Sequence, residues 1–190
     1  MLELSLVILN HQTNIMKIYL LGYMASGKSK LGKELSDLTG LLFYDLDEVF
    51  EEKYRIGIVD FFEKYGEEAF RQIEHQLLTE TEKLENTIIA TGGGTPCSEE
   101  NIEFIKSQGI SIYIRMDTKE LFSRLKNVKK KRPLLKDIPI SGLENFIIEQ
   151  LKEREPFYLQ ADYIIDGPFP DQDKLVGLIK EIKGRKESFS

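Results

Sequence analysis

Gly22-Tyr23-Met24-Ala25-Ser26-Gly27-Lys28-Ser29 fits the pattern G-x-x-x-x-G-K-[ST]. Glycines at these places let successive backbone N–H groups turn inward as a nest for phosphate oxygens. Lys28 would reach the β- and γ-phosphates, and the Ser29 hydroxyl would hold Mg²⁺. The apolar run Lys17–Leu21 leads in as a strand and Lys28–Leu38 leads out as a helix, whose positive end faces the phosphates. The stretch therefore points to a nucleoside triphosphate. A glycine turn beside a surface lysine is the plain alternative.

Other residue types with chemistry follow at intervals. Asp45 and Asp47 are carboxylates at i and i+2, expected where a strand gives way to a loop. In an open α/β sheet, ligands bind at the carboxyl ends of the strands, so both acids fall beside the phosphate loop. Asp at a helix start is the plain account of either one. Arg71 and Glu74 stand at i, i+3, and on spacing alone they read as a surface ion pair. Gly92-Gly93-Gly94 lets a backbone approach a ligand closely with its amides free to donate. Residues 126–136 are basic and broken by Pro133. A cationic run is often only a solvated face, but beside a phosphate site it reads as a lid that brings an arginine to the transferring group. Arg154, near the end of a helix, could serve only as a partner for the helix dipole.

The elements that must hold these residues come from periodicity. Strands are expected at Lys17–Leu21, Leu41–Asp45, Thr87–Thr91, Ile110–Met116 and Tyr163–Asp166. Helices are expected at Lys28–Leu38, Glu48–Tyr54, Val59–Tyr65, Glu67–Leu84, Asn101–Gln108, Thr118–Leu125, Ser141–Tyr158 and Asp171–Ile182. This alternation predicts an α/β three-layer sandwich with a five-stranded parallel sheet. The helical pieces over 47–84 are too long for a simple crossover and suggest a small substrate-binding subdomain.

Composition narrows the classes. A chain of 190 residues makes one domain with a full core, here 16–190, after an extension over 1–15. The 41% hydrophobic and 31% charged fractions are those of a soluble globular protein, and a net charge of −6 argues against a nucleic-acid footprint. One cysteine, Cys97, cannot form an internal disulfide, which fits a reducing, cytoplasmic setting. With only His11 and His75 beside it, no zinc site is expected. The apolar start lacks the preceding charge of a secretory signal and is too short to span a bilayer.

Taken together and in order, these motifs resemble the shikimate kinases, small P-loop kinases related in fold to nucleoside monophosphate kinases. The resemblance runs over residues 17 to about 180. It rests on the phosphate loop; Phe43-x-Asp45-x-Asp47; Gly66-Glu67-x-x-Phe70-Arg71-x-x-Glu74; Gly92-Gly93-Gly94; Arg132-Pro133-Leu134-Leu135; and Arg154-x-Pro156-x-Tyr158. It implies transfer of phosphate from ATP to the 3-hydroxyl of shikimate, on the way to chorismate and the aromatic amino acids. It also implies Mg²⁺ as cofactor, a mobile lid over about 124–138, and a monomer with no nucleic-acid or membrane partner.

The implied site follows residue by residue. Gly22, Ala25, Ser26, Gly27, Lys28, Ser29 and Lys30 would bind ATP, with Arg124 stacking on adenine. Ser29 would bind Mg²⁺ directly and Asp45 through water. Asp47 would receive the attacking hydroxyl, as a base or as an orienting group. Arg71, Arg132 and Arg154 would grip the shikimate carboxylate beside Gly92, Gly93 and Gly94. Lys28 and Arg132 would stabilise the transferring group. The chain departs from the family where glycine is usual at Ala25, where a hydroxyl is usual at Lys30, and by one extra residue between Arg124 and Arg132. A gluconate or nucleotide kinase, and a nucleotide-binding module without catalysis, are the rival readings.

Overall fold

Lys17–Leu21 (β1) is buried along its whole length and lies at the centre of the sheet. The computed structural model describes residues 16–127, 133–167 and 172–187. Strand β2 (Leu42–Asp45), β3 (Thr87–Ala90), β4 (Ile110–Arg115) and β5 (Tyr163–Asp166) complete a five-stranded sheet in the order β2-β3-β1-β4-β5. Every pairing is parallel. A parallel sheet needs helices on both faces, and its central strands then read as unbroken apolar runs.

Alternation along β1 divides the core between two layers. Ile18 and Leu20 pack with Leu31 and Leu35 of helix α1 (Lys28–Thr39) and with Leu175 of α7 (Gln172–Glu187). Tyr19 and Leu21 face the other way, toward α2 (Leu46–Tyr54), α3 (Ile58–Glu80) and α6 (Ile140–Tyr158), meeting Phe50, Leu77 and Tyr158. Helices α4 (Glu99–Gln108) and α5 (Thr118–Leu125) complete that second layer. Among the described residues, the 3₁₀ turns Thr81–Lys83 and Pro133–Leu135 join larger elements.

Boundaries follow local chemistry. Helix α1 stops at Gly40, whose φ of 74° is left-handed and whose N–H reaches Ser36 O at 2.9 Å. Asp117 caps α5 by accepting from Glu120 N at 2.9 Å. Ser98 starts α4 two residues before the expected Asn101 by accepting that residue's N–H. The expected helices Val59–Tyr65 and Glu67–Leu84 run together as α3, bent at Gly66, where φ is 82° and ψ 172°. Phe50, Phe61 and Phe70 bind α2 to α3, with ring centroids 5.1 and 5.0 Å from that of Phe50.

One expectation fails in an instructive way. Asp45 ends β2 as expected, but Asp47 was to stand on a loop, and α2 instead begins at Leu46 directly after the strand. Asp45 makes this possible, because its carboxylate accepts from Asp47 N at 3.0 Å and so caps the helix. Asp47 then lies in the first helical turn, held by regular backbone rather than by a loop.

Candidate active site

The phosphate loop follows β1 at the carboxyl end of the sheet. Gly22 has φ of 142°, and a Cβ there would lie 2.8 Å from Ile114 O, so the loop can leave the strand only at glycine. Gly27 has φ of 103° and stands before α1 with no side chain capping it. The first N–H groups of α1 have no intrahelical partner and suit an anion. Lys28 curls back over the loop, with Nζ donating to Gly22 O at 2.8 Å and Tyr23 O at 3.0 Å. Ala25 takes φ of 62°, the left-handed region, where a Cβ is strained. Ser26 is buried, and its hydroxyl has no hydrogen-bond partner among the described residues.

Ser29 and Asp45 meet across the loop. The Ser29 hydroxyl donates to Asp45 Oδ2 at 2.5 Å, while Oδ1 is the atom that caps α2. A hydroxyl and a carboxylate converging next to a phosphate nest are hard oxygen donors, which fit Mg²⁺ completed by water and phosphate oxygens. Lys30 lines the same cavity and is 65% exposed, so its pair with Glu34 at 3.9 Å is a weak surface one.

Two cavities open here. One, of about 210 Å³, is lined by Lys28, Ser29, Lys30, Asp45 and the loop. The second, of about 420 Å³, is lined by Arg71, Glu74, Arg154, Gly92–Gly94 and an apolar wall that includes Val59, Phe62 and Leu134. Met24, Ser29, Asp45, Asp47 and Gly93 belong to both. Asp47 thus stands on the boundary between a phosphate nest and a cavity carrying two arginines.

The triple glycine is a matter of space. A Cβ on Gly92 would come within 2.4 Å of Glu74 Oε1, on Gly93 within 2.9 Å of Met24 N, and on Gly94 within 2.6 Å of Arg71 Nη1. Each missing side chain is replaced by a different part of the site. The Tyr158 hydroxyl donates to Gly93 O from the end of α6, the helix that also carries Arg154. Cys97 lies against the same carbonyl at 3.8 Å, and burial pushes its thiol above the ordinary range.

Arg71 and Glu74 are not a plain surface pair. Glu74 is 6% exposed and accepts Arg71 Nη1 at 2.5 Å on one oxygen and the Thr95 hydroxyl at 2.6 Å on the other. The face of α3 carrying them is turned against the glycine triplet, which helical spacing alone does not reveal. Glu67 holds the other edge of the guanidinium at 3.0 Å. Arg154 stands over the Tyr23 ring, 5.7 Å from its centroid.

Gly22, Ser26 and Arg124 line neither cavity. Arg124 lies on the loop, donating to Ala25 O at 3.1 Å, with Nε on Glu120 at 3.0 Å. Arg132 falls outside the described residues. Three participants carried no mark in the motif reading. Thr95 was hidden as the residue after the triplet, Tyr23 and Met24 as variable positions inside the loop.

A family model described as shikimate kinase matches residues 24–180. A shikimate kinase of Parabacteroides distasonis is 42% identical over 151 residues, 80% of this chain and 87% of that protein. The crystal structure of a shikimate kinase from Bacteroides thetaiotaomicron superposes with a TM-score of 0.79 at 34% identity, covering 91% of this chain and 99% of that one. A shikimate kinase from Acinetobacter baumannii, solved in complex with shikimate, gives a TM-score of 0.82 at 32% identity over 92% of this chain and 96% of that one. The chain belongs to the shikimate kinase family.

Proposed function

We propose that Lys28, Asp47 and Arg132 carry, in this chain, the reaction of its family. The γ-phosphoryl group of ATP passes to the 3-hydroxyl of shikimate, giving shikimate 3-phosphate and ADP for aromatic amino-acid synthesis. The observation that carries this reading is the wall shared by the two cavities, where Asp47 and Gly93 separate a phosphate nest from a pocket holding Arg71 and Arg154.

The roles follow from charge. Arg71 and Arg154 present guanidinium forks to the shikimate carboxylate, and Gly93 offers its amide. This end-on grip leaves the hydroxyls toward Asp47, which accepts the hydrogen bond of the attacking one and so aligns it. As the oxygen bonds to γ-phosphorus, the bond to the β-phosphate oxygen breaks, and the hydroxyl proton leaves toward Asp47. Lys28 moves from its carbonyl partners to the phosphates, where its charge opposes the negative charge on the transferring group. Arg132 joins it from the lid over 124–138, an assignment resting on its sequence motif. Ser29 would hold Mg²⁺ directly and Asp45 would hold it through water, and the ion would there supply charge neutralisation for the phosphate oxygens. Gly22, Ala25, Ser26, Gly27 and Lys30 complete the donor site, and Arg124 leaves the loop carbonyls to meet adenine.

Residues 47–84 act as the acceptor subdomain and 1–15 as an extension. The reading includes a cytoplasmic location and a monomeric state; among the described residues no helix is long and apolar enough to cross a membrane. A coupled ADP-release assay with ATP, Mg²⁺ and a panel of acceptors tests the reading. Turnover is expected with shikimate. Transfer to gluconate or a nucleoside monophosphate, and none to shikimate, overturns it. Asp47→Asn and Arg132→Ala should each lower kcat by a hundredfold or more, on the order expected for lost proton and charge stabilisation. Unchanged turnover removes those roles even with the activity present.

A further inference from the structure

We propose that Tyr23 is a positioning residue of the acceptor site, its ring propping the Arg154 guanidinium from inside the phosphate loop. The two halves of Tyr23 serve different sides. Its carbonyl accepts from Lys28 Nζ at 3.0 Å and from Ser26 N at 3.1 Å, so its backbone belongs to the donor nest. Its side chain turns into the core that holds Tyr113 and Tyr158 and is 1% exposed. The ring ends beneath Arg154, 5.7 Å from Cζ.

The contrast with Arg71 makes this contact matter. Arg71 is clamped on both edges by Glu67 and Glu74. Arg154 has no ion pair and donates no hydrogen bond among the described residues. Its orientation therefore rests on what it stacks against, and its donors stay available to a carboxylate. An aromatic face attracts a guanidinium through its quadrupole and holds the plane without consuming any N–H group. A carboxylate prop would instead take up part of those donors, as Glu67 and Glu74 do on Arg71.

The Tyr23 hydroxyl is not the working part, since it is buried and has no partner among the described residues. Burial pushes this phenol up to about 12, against the opposing charge of Arg154, so the ring stays neutral at working pH. Tyr23 also fixes the spacing between sites, because one residue joins the nest backbone to the acceptor arginine.

The proposal rests on the reading of Arg154 as a ligand of the shikimate carboxylate, and the experiment separates the two. Steady-state kinetics are measured for Tyr23→Leu, Tyr23→Phe, and Phe at position 23 carrying increasing fluorine, each also in an Arg154→Ala background. Tyr23→Leu should raise KM for shikimate about three- to tenfold, with kcat and KM for ATP within about twofold. Tyr23→Phe should restore the native KM, and added fluorine should raise it stepwise, because it weakens the ring's negative face at nearly constant shape. With Arg154→Ala, Tyr23→Leu should add nothing. A KM indifferent to leucine and fluorine, while Arg154→Ala raises it, overturns the role of Tyr23 alone. An Arg154→Ala variant with native KM overturns the acceptor reading of Arg154, and the proposal with it. Should Tyr23→Leu not fold, the fluorinated series decides.

Discussion

The Thr95 hydroxyl donates to Glu74 Oε1 at 2.6 Å, so the residue after the glycine triplet holds the carboxylate that holds Arg71. Asn101 Nδ2 donates to Thr95 O at 2.6 Å and ties the same turn to α4. All of Thr95 is buried. Removing its hydroxyl would leave a buried carboxylate oxygen short of a partner, which costs about 1–3 kcal/mol. Thr95→Val, nearly the same shape, should lose that much stability in urea and raise KM for shikimate several-fold with kcat largely kept. Thr95→Ser should recover both. A native KM in Thr95→Val would mean that Arg71 needs no second support.

Asp45 serves two purposes with its two oxygens, and substitutions can separate them. Oδ1 caps α2, while Oδ2 receives Ser29 beside the expected Mg²⁺ position. Asn caps a helix about as well as Asp but carries no charge for a cation. Asp45→Asn should therefore unfold within about 0.5 kcal/mol of the native chain while demanding a higher Mg²⁺ concentration for half-maximal rate. Asp45→Ala should lose about 1 kcal/mol as well. An unchanged Mg²⁺ titration in Asp45→Asn would remove Asp45 from the cation site.

Ala25 sits at φ of 62°, where the family usually has glycine. The left-handed region costs an alanine about 1–2 kcal/mol, and glycine gives back about 0.4–1 kcal/mol through its freer unfolded chain. The native strain is the larger quantity. Ala25→Gly should raise stability by about 0.5–1 kcal/mol, read as an upward shift in the denaturant midpoint. Ala25→Val, with a branched Cβ, should lower stability and raise KM for ATP. A destabilised glycine variant would show that Ala25 is held by packing rather than strained by it.

Alkaline pH should weaken the fold through its buried phenols. Burial raises Tyr23 from 10.0 to about 12, and it also raises Tyr19, Tyr113 and Tyr158. The native state then keeps its proton where the unfolded chain has lost it. This contribution is complete below pH 10 and is lost as pH climbs toward 12. For Tyr23 the full loss is on the order of 2–3 kcal/mol. Unfolding curves between pH 9 and 11.5 should therefore fall less steeply for Tyr23→Phe than for the native chain. Parallel curves would place the Tyr23 hydroxyl in contact with water.

The sequence by itself determined what short-range patterns can carry. A strand, a glycine-rich turn and a helix start specify a phosphate nest within a dozen neighbouring residues, and the five strands are legible because each is a short apolar run, buried throughout in β1 and β3 and half-exposed at the edges in β2 and β5. The order of the motifs along the chain was enough to point to the family. Tertiary structure alone decided which faces meet. Spacing said that Arg71 and Glu74 are neighbours on a helix, but only the packing of α3 on the glycine triplet buries Glu74 and hands its second oxygen to Thr95. Asp45 looked like a metal ligand or a cap, and the fold makes one oxygen a cap and turns the other toward Ser29. Tyr23 carried no signal at all, since its partner Arg154 lies far along the chain. The physical reason is common to all three. Local sequence sets backbone geometry and the period of exposure, whereas burial and side-chain partnership arise only when distant segments pack.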